Sequence, residues 1–219
     1  MIKIPDYRKK FEYENNFYLS SDVSRIGKAI AHYELYKMIK GLRGSIVECG
    51  VFKGISLIRF ASFRKLFDIQ SRTIIGFDAF GKFPKTSYSP DMKMRREFIK
   101  KSGIEGISIH QLETVLNKKG LNRKIELIQG DITKTIPDYI KRHPKLKISL
   151  LNLDTDVYEP AVTILENLFP RIVEGGILIL DDYGVFKGET KAVDEYFKDK
   201  KIKIKKFPFA KTPSYLIKK

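Results

Sequence analysis

Apolar runs that end in acidic residues are the clearest repeated pattern in this chain. The two most pronounced runs cover residues 150–153 and 176–180, and they end at Asp154 and at the Asp181-Asp182 pair. A short apolar run bounded by polar residues is typical of a strand buried in a parallel sheet. Open α/β sheets bind their ligands at the carboxyl ends of such strands. The pattern therefore predicts two buried strands whose terminal acids lie at a binding edge.

The segment between these two runs has helical periodicity. Its apolar positions recur at helical spacing, at Ala161, Ile164, Leu165, Leu168 and Phe169. We expect a helix within residues 159–174, closed by the glycines at 175–176 before the second strand. A strand–helix–strand crossover is short and right-handed, so the two strands should be neighbours. Asp154 is then expected to lie close to Asp181 and Asp182.

The remaining strands and helices follow from the same two patterns. Further strands are predicted at residues 45–50, 72–77, 124–129, 201–205 and 214–217. Further helices are predicted from 21 or 22 to near 41 or 44, after residue 56, and at 92–101, 109–118, 133–142 and 190–198. Pro137 moves the expected start of one helix to near Ile136. The sequence predicts an α/β fold, with a mostly parallel seven-stranded sheet, helices on both faces and an antiparallel C-terminal strand.

Two glycines mark the turn after the first predicted strand. Gly50 and Gly54 precede a helix, so a ligand can approach the backbone there and the helix amino terminus offers amide donors. With Glu48 the spacing is E-x-G-x-x-x-G, which departs from the G-x-G-x-x-G pattern of pyrophosphate-binding turns. It suits a ligand with a carboxylate and no phosphate. An ordinary tight turn is the alternative interpretation.

Acidic residues also follow the second and third predicted strands. Asp78 lies where an acid that accepts hydrogen bonds from ribose hydroxyls is expected, with a helix cap or loop aspartate as the alternative. Gly130 and Asp131 place another acid at the same edge. Residues 80–91 are too many for a tight connection, and long ordered loops at a ligand edge are often lids.

The length and composition predict one domain with its own core. The chain has 219 residues, 42% of them hydrophobic. Its single cysteine, Cys49, lies in an apolar run, so no disulfide framework is expected, and no Cys/His cluster indicates zinc. The amino terminus lacks an apolar leader, and no run of roughly 18 apolar residues occurs. We therefore expect a cytoplasmic protein without a signal peptide or a membrane span.

Positive charge dominates the composition. The chain has 42 Lys and Arg against 26 Asp and Glu, a formal net charge of +16, which favours anionic partners such as nucleic acid. Most of the excess is lysine, scattered over predicted helix faces and within residues 198–206, as on a solvated surface. No arginine-rich tract or aromatic-interleaved basic motif indicates a nucleic-acid module. The sequence therefore argues against a nucleic-acid partner.

The amino-terminal segment has a different character from the rest. Residues 1–20 mix aromatic and charged side chains without a clear period. We expect an arm that packs on the domain or on a second subunit, which leaves a homo-oligomer open. The predicted organisation is an arm and helix at residues 1–44 that cap a core domain at residues 45–219.

Four sequence blocks resemble the signature blocks of one enzyme family. They are VECGVFKG at 47–54, FDAFGKFP at 77–84, LDTDVYE at 153–159 and GGILILDDYG at 175–184. In this order they resemble the macrocin-type sugar O-methyltransferases, which are class I S-adenosylmethionine-dependent methyltransferases. The resemblance covers about residues 44–198. It implies a Rossmann-like class I methyltransferase fold and transfer of a methyl group to a hydroxyl of a sugar, whether nucleotide-linked, in a glycan or on a natural product.

The resemblance also implies residue roles. It implies that the methionine part of S-adenosylmethionine is bound by Glu48, Gly50, Gly54 and Ser56, and its ribose by Asp78. The adenine would be bordered by Gly130 and Asp131, and Mg²⁺ would be bound by Asp154, Asp181 and Asp182. Cys49, Phe52 and Ala79 stand where family members usually have Thr, Trp and Ser. The C-terminal region is shorter and lacks a late histidine. Because of these departures, the resemblance does not identify the acceptor, which is a small molecule or a glycan.

The acids suit the chemistry of methyl transfer to an alcohol. An alcohol attacks the sulfonium methyl group well only as its proton leaves. Mg²⁺ prefers oxygen ligands and lowers the pKa of a bound hydroxyl, so three aspartates with two substrate hydroxyls could complete its shell. Asp154 or Asp156 could then accept the proton. In the alternative interpretation Asp181-Asp182 form a turn and Asp156 caps a helix.

Three other functions stay compatible with the sequence. The same fold could methylate a catechol-like or other small diol. An RNA methyltransferase is favoured by charge alone. A non-catalytic binding protein of the same fold is the third.

Overall fold

A seven-stranded sheet forms the centre of the described part of the chain. The computed structural model describes residues 2–67, 69 and 71–219. Its strands are β1 (Ser45–Cys49), β2 (Ile74–Asp78), β3 (Ile125–Gln129), β4 (Ile148–Leu153), β5 (Ile172–Leu180), β6 (Lys205–Lys206) and β7 (Ser214–Ile217). Their order in the sheet is β3-β2-β1-β4-β5-β7-β6. The first five strands are parallel, and β7 is antiparallel to both β5 and β6, which confirms the predicted fold class.

Helices cover both faces of the sheet. They are α1 (Lys10–Ser20), α2 (Val23–Met38), α3 (Ile55–Leu66), α4 (Ser89–Ser102), α5 (Ile109–Lys118), α6 (Ile132–Arg142), α7 (Tyr158–Asn167) and α8 (Lys187–Phe197). Helices α6, α7 and α8 contribute to one buried cluster, and α2, α3 and α5 contribute to the other. In β1, Val47 and Cys49 belong to the first cluster and Ile46 to the second. The central strands β1, β2, β4 and β5 are buried on both faces over most of their length, and their sequences are accordingly mostly apolar.

The boundary between α7 and β5 differs from the prediction. The helix ends at Asn167, and β5 already begins at Ile172, so the glycines at 175–176 lie inside the strand. The register between β4 and β5 shifts there, because Ile148 pairs with Ile172 whereas Leu150 pairs with Ile177. Glycine inside a strand often accommodates such an irregularity. The glycines therefore mark a bulge in β5 rather than the end of the preceding helix.

Helix α6 begins earlier than Pro137 suggested. It starts at Ile132, because the carbonyl oxygen of Asp131 accepts a hydrogen bond from the Thr135 amide at 2.8 Å. The buried side chains of Ile132 and Ile136 then pack against the core. Burial of this apolar face outweighs the hydrogen bond that the proline cannot donate.

The alternating segment near the carboxyl terminus forms less strand than predicted. Only Lys205–Lys206 pair with β7, as β6, whereas 201–205 had been predicted. Ile202 and Ile204 are half-buried and pack against the core, while Lys203 between them is exposed, as are Lys201 and Lys205 on either side. The alternation thus reflects one-sided packing, which needs no hydrogen-bonded ladder.

The amino-terminal segment attaches to the domain through its first residues. Ile2 and Ile4 pack against a core cluster, and the Gln111 side-chain amide donates to the Ile2 carbonyl oxygen at 2.7 Å. Helix α1 buries none of its residues. Within the ranges described, every helix is too short or too polar to cross a membrane.

Three helices meet at one buried carboxylate, that of Asp91 in α4. Its Oδ1 accepts a hydrogen bond from the Gly188 amide at 2.8 Å, and it also accepts from the Tyr158 amide. These amides belong to the first turns of α8 and α7, where backbone donors lack helical partners. Asp91 therefore links the amino termini of two helices to α4.

Gly188→Ala is expected to reduce the free energy of unfolding by about 2–3 kcal/mol. A Cβ at Gly188 would overlap Asp91 Oδ2 and lie 2.6 Å from the Tyr158 amide nitrogen. Gly41→Ala is the matched control, because a Cβ there meets nothing within 4 Å. Urea denaturation of both variants measures the difference. Equal stability of the two would contradict the close helix approach.

Candidate active site

A cavity of about 1090 Å³ opens at the carboxyl ends of the parallel strands. This volume is at the upper end of the range for small-molecule sites. The predicted site residues that line it are Gly50, Ser56, Asp78, Gly130, Asp131, Asp154, Asp156, Asp181 and Asp182. Glu48 and Gly54 are not in its wall. One cavity therefore joins the glycine turn after β1 to the acids after β4 and β5.

The glycine turn contacts the end of β4 through backbone atoms. Gly50 has φ +94°, and a Cβ at this position would overlap the carbonyl oxygen of Asp154. The two strands pair in parallel up to Cys49 and Leu153. Only glycine allows this approach, because it has no side chain and tolerates positive φ. The turn after β1 and the acids after β4 are thus held next to each other.

Glu48 lies behind the cavity wall and contacts Ser56. Its side chain is fully buried and accepts a hydrogen bond from the Ser56 hydroxyl. Burial raises the pKa of Glu48 to about 8. Its Oε2 has no hydrogen-bond partner among the described residues. Gly54, with φ +80°, is the N-cap residue directly before α3.

Asp78 holds the backbone of the turn. Its Oδ2 accepts hydrogen bonds from the amides of Val51 at 2.8 Å and Phe52 at 2.9 Å. Its Oδ1 accepts from the Phe80 amide at 2.6 Å. A carboxylate has about four lone-pair sites, so these three bonds leave capacity for a ligand hydroxyl. Asp78 therefore shapes the turn and also faces the cavity.

Gly130 and Asp131 lie at the neighbouring strand end. The Gly130 amide donates to the carbonyl oxygen of Asp78 at 2.9 Å, and Gly130 has φ +140°. The Asp131 carboxylate caps α6, because its Oδ1 accepts from the Thr133 amide at 3.0 Å. One of its oxygens is engaged in this cap, while the residue still lines the cavity.

Asp154, Asp181 and Asp182 form an acid cluster. One carboxylate oxygen from each lies within 4.8 Å of those of the other two. Parallel pairing of β4 and β5 causes this, since Leu153 pairs with Leu180 and the Asp181 amide donates to the Leu153 carbonyl oxygen at 3.0 Å. The predicted approach of Asp154 to Asp181 and Asp182 is present in the structure.

Burial places these carboxyl groups in an unfavourable electrostatic environment. Burial raises the pKa of Asp154 well above its usual range, and the neighbouring Asp181 carboxylate raises it further. Burial likewise raises the pKa of Asp182, with Asp156 as the next cause. Asp181 differs, because the Lys28 ammonium lowers its pKa although burial opposes this. Of the three carboxyl groups, only that of Asp181 has its pKa lowered, and it is the one that pairs with the Lys28 ammonium.

Two further acids surround the cluster. Burial raises the pKa of Asp156 to about 8, and the neighbouring Asp154 carboxylate raises it further. Asp156 has φ +62°, so it occupies a left-handed turn rather than a helix cap position. Glu189 Oε1 accepts a hydrogen bond from the Asp182 amide at 3.0 Å and fixes the backbone after β5.

The loop between β2 and α4 borders the cavity. Its residues 81–85 line the wall. Glu159 at the start of α7 accepts hydrogen bonds from the Ser87 amide at 3.0 Å and the Thr86 hydroxyl at 3.2 Å. These contacts tie the loop to the helix that follows the acids of β4. A lid function for this loop stays a prediction.

Aromatic side chains form an apolar part of the wall. The rings of Phe83 and Phe98 are 5.3 Å apart, and those of Phe52 and Phe98 are 5.6 Å apart. All three line the cavity together with Phe186. An apolar wall opposite a few polar groups is typical of small-molecule sites.

Residues 31–211 match the family model of the macrocin O-methyltransferases (TylF). The chain belongs to this family. Two curated relatives in Streptomyces, each 28% identical, are 8-demethyl-8-(2,3-dimethoxy-alpha-L-rhamnosyl)-tetracenomycin-C 4'-O-methyltransferase of S. olivaceus and demethyldecarbamoylnovobiocin O-methyltransferase of S. niveus. The matches cover 66% and 70% of this chain. The chain spans only 55% and 58% of the length of these relatives.

Two solved structures of methyltransferases share the fold of this chain. The calicheamicin methyltransferase CalS11 superposes with a TM-score of 0.74 over 95% of this chain and 85% of its own, at 24% identity. The O-methyltransferase NovP gives a TM-score of 0.73 over 87% of this chain and 78% of its own, at 23% identity. At these identities the likeness concerns the fold alone.

Two residues that contact the acid cluster, Lys28 and His32, were not predicted from the sequence. The Lys28 ammonium of α2 forms an ion pair with Asp181 Oδ2, and His32 Nε2 lies 3.6 Å from Asp181 Oδ1. The available signal was their spacing of one helical turn on the face of α2 that also carries Ala31 and Leu35. Polar residues one turn apart on an apolar helix face predict a polar partner beneath them.

Proposed function

We propose that the chain is an S-adenosylmethionine- and Mg²⁺-dependent O-methyltransferase that acts on a hydroxyl group of a sugar. The close contact between Gly50 and the Asp154 carbonyl oxygen carries this proposal. It brings a turn suited to the methyl donor next to an acid cluster suited to the methyl acceptor. Both line one cavity, which is large enough to hold a cofactor together with a small acceptor.

The turn and the neighbouring strand ends fit S-adenosylmethionine. Gly50 leaves its backbone accessible at a positive φ, and the first turn of α3 offers free amides to a carboxylate. We assign the methionine part to Gly50 and Ser56, with Glu48 and Gly54 supporting the turn from behind. Asp78 would accept hydrogen bonds from the ribose hydroxyls, and Gly130 with Asp131 would border adenine.

The acid cluster fits a hard divalent cation. Its donors are carboxylate oxygens only, which Mg²⁺ prefers, and they lie within 4.8 Å of one another. Burial raises the pKa of Asp154 and Asp182, and a bound divalent cation would favour their charged forms. When bound to Asp154, Asp181 and Asp182, the ion would orient the acceptor and lower the pKa of its hydroxyl.

Proton removal falls to an acid of the turn after β4. Asp154 and Asp156 both line the cavity, and either can accept the proton of the acceptor hydroxyl. Glu189 positions Asp182 by accepting a hydrogen bond from the Asp182 backbone amide. The aromatic wall would exclude water from the transferring methyl group.

The names of the curated relatives support a sugar as the acceptor. One is named for a 4'-O-methylation of a rhamnosyl-tetracenomycin and another, from Micromonospora griseorubida, as a mycinamicin III 3''-O-methyltransferase. We infer that residues 45–219 form the catalytic domain, that residues 1–44 cap it, and that it works in the cytoplasm on a glycosylated or nucleotide-linked small molecule.

A methyl-transfer screen tests this function. Labelled S-adenosylmethionine is offered with nucleotide sugars, glycan precursors and small diols. We expect transfer to a sugar, and EDTA should reduce the rate by about 10³-fold. Added Mg²⁺ should restore it. A full rate in EDTA would contradict the metal assignment, and transfer only to a small diol would contradict the acceptor class.

A further inference from the structure

Both oxygens of the Asp181 carboxylate are directed at helix α2. Oδ2 accepts from the Lys28 ammonium, and Oδ1 lies 3.6 Å from His32 Nε2. The Asp181 side chain is 2% exposed and that of His32 is 0% exposed. No described residue hydrogen-bonds to either His32 Nε2 or Asp181 Oδ1. These two buried polar atoms face each other at the acid cluster.

The contacts of His32 fix which of its nitrogens carries the proton. Nδ1 lies 3.2 Å from Arg59 Nη1, and a guanidinium only donates hydrogen bonds. Nδ1 must therefore accept, and the proton of the neutral ring lies on Nε2, toward Asp181. The ring stacks on Phe60 with centroids 5.0 Å apart, so it cannot rotate freely. The Nε2–H group of His32 is therefore directed at Asp181 Oδ1.

Lys28 is the cation nearest to the cluster. Its ammonium pairs with Asp181 and also interacts electrostatically with Asp154 and Asp182. Its side chain is 18% exposed and lines the cavity, so the ammonium can leave Asp181 without crossing the core. A divalent ion on the same three carboxylates would lie within a few ångströms of this ammonium and repel it.

We propose that the Lys28 ammonium is a built-in counter-cation of the acid cluster, and that it and a divalent metal ion occupy Asp181 in turn. His32 keeps the carboxylate in place during the exchange. This inference rests on the proposed metal site. It makes Lys28 a positioning residue that sets metal affinity, because the ion must displace the ammonium from Asp181 before it gains its third carboxylate.

Calorimetric titration with Mg²⁺ alone, without cofactor or acceptor, tests the exchange. Lys28→Met removes the competing charge but keeps a similar stem, so we expect at least a tenfold lower Kd than in the unsubstituted protein. Lys37→Met is the matched control. Lys37 lies on the same helix and pairs with Glu34 at 3.0 Å, away from the cavity, so its Kd should stay within twofold.

The outcomes separate this inference from the proposed function. Equal or weaker Mg²⁺ binding by Lys28→Met would overturn the competition and leave the metal site standing. No binding by any of the three proteins would reject the metal site and the competition with it.

A second measurement needs no variant, in case Lys28→Met does not fold. Acetylation of the unsubstituted protein, followed by mass spectrometry, reports how accessible each lysine amine is. Mg²⁺ should raise the labelling of Lys28 at least threefold, because the ammonium is released from Asp181. Labelling of Lys37 should not change. Unchanged labelling of Lys28 at a Mg²⁺ concentration that saturates the site would overturn the exchange.

Discussion

Asp154→Asn is expected to lower the rate of methyl transfer by about 10³-fold or more while S-adenosylmethionine binds as before. The change removes one of the three carboxylates that lie within 4.8 Å of one another, together with a candidate proton acceptor. It keeps the side-chain shape, and the backbone contact between Asp154 and Gly50 is unaffected. Single-turnover transfer from labelled cofactor and calorimetric cofactor binding measure the two effects separately.

Loss of folding would not explain this result. Burial raises the pKa of Asp154 above its unfolded value, so the stability linked to this group is present at low pH and is lost as pH rises. A neutral asparagine removes that penalty at neutral pH. The melting temperature of the metal-free variant should therefore equal or exceed that of the unsubstituted protein.

Asp156→Asn is the matched variant in the same turn. Its φ of +62° is a conformation that asparagine tolerates, and Asp156 is not one of the three clustered ligands. The Mg²⁺ affinity of Asp156→Asn should stay within about threefold of that of the unsubstituted protein. Its rate of methyl transfer therefore shows whether Asp156 or Asp154 accepts the proton. Normal turnover by Asp154→Asn would refute the assigned role of Asp154.

The acid cluster was predictable because its geometry follows from parallel strands alone. Asp154 and Asp181 each directly follow a buried apolar run, and adjacent parallel strands end at the same edge. Nothing about side-chain packing was needed. The same reasoning found Asp78, which is the last residue of β2, and Asp131, which lies two residues after β3.

The helix boundaries were predicted wrongly where a glycine or a proline is compatible with more than one local structure. The glycines at 175–176 were interpreted as a helix end, but they accommodate a bulge in β5. Pro137 was interpreted as a helix start, but the cap at Asp131 and the buried face of α6 determined the boundary. In both cases pairing or burial by distant residues outweighed the local preference.

Lys28 and His32 escaped prediction for a different reason. Periodicity predicts a helix here, but it does not show which strand end lies beneath the buried residues of α2, which include Ala31, His32 and Leu35. The contact between Lys28 and Asp181 joins residues 153 positions apart. Only the packing of α2 over the carboxyl ends of the strands brings them together. The sequence shows the acids of the cluster, and the fold supplies their counter-cation.

Asp78→Ala is expected to weaken S-adenosylmethionine binding by about 100-fold, because the proposed charged acceptor of a ribose hydroxyl is lost. It should also destabilise the turn. The amides of Val51, Phe52 and Phe80 all donate to this carboxylate and would lose their partner. Weaker binding by itself therefore does not distinguish a ribose contact from a disordered turn.

A ligand that lacks the ribose hydroxyls makes that distinction. If Asp78 binds them, the unsubstituted protein should prefer S-adenosylhomocysteine over its 2′,3′-dideoxy analogue by at least about tenfold, and Asp78→Ala should bind both alike. Asp131→Asn, which keeps the cap of α6, should retain the preference. If Asp78 only supports the turn, Asp78→Ala would weaken the binding of both ligands by the same factor. An unchanged preference in Asp78→Ala would thus assign the residue to the turn and remove it from the ribose site.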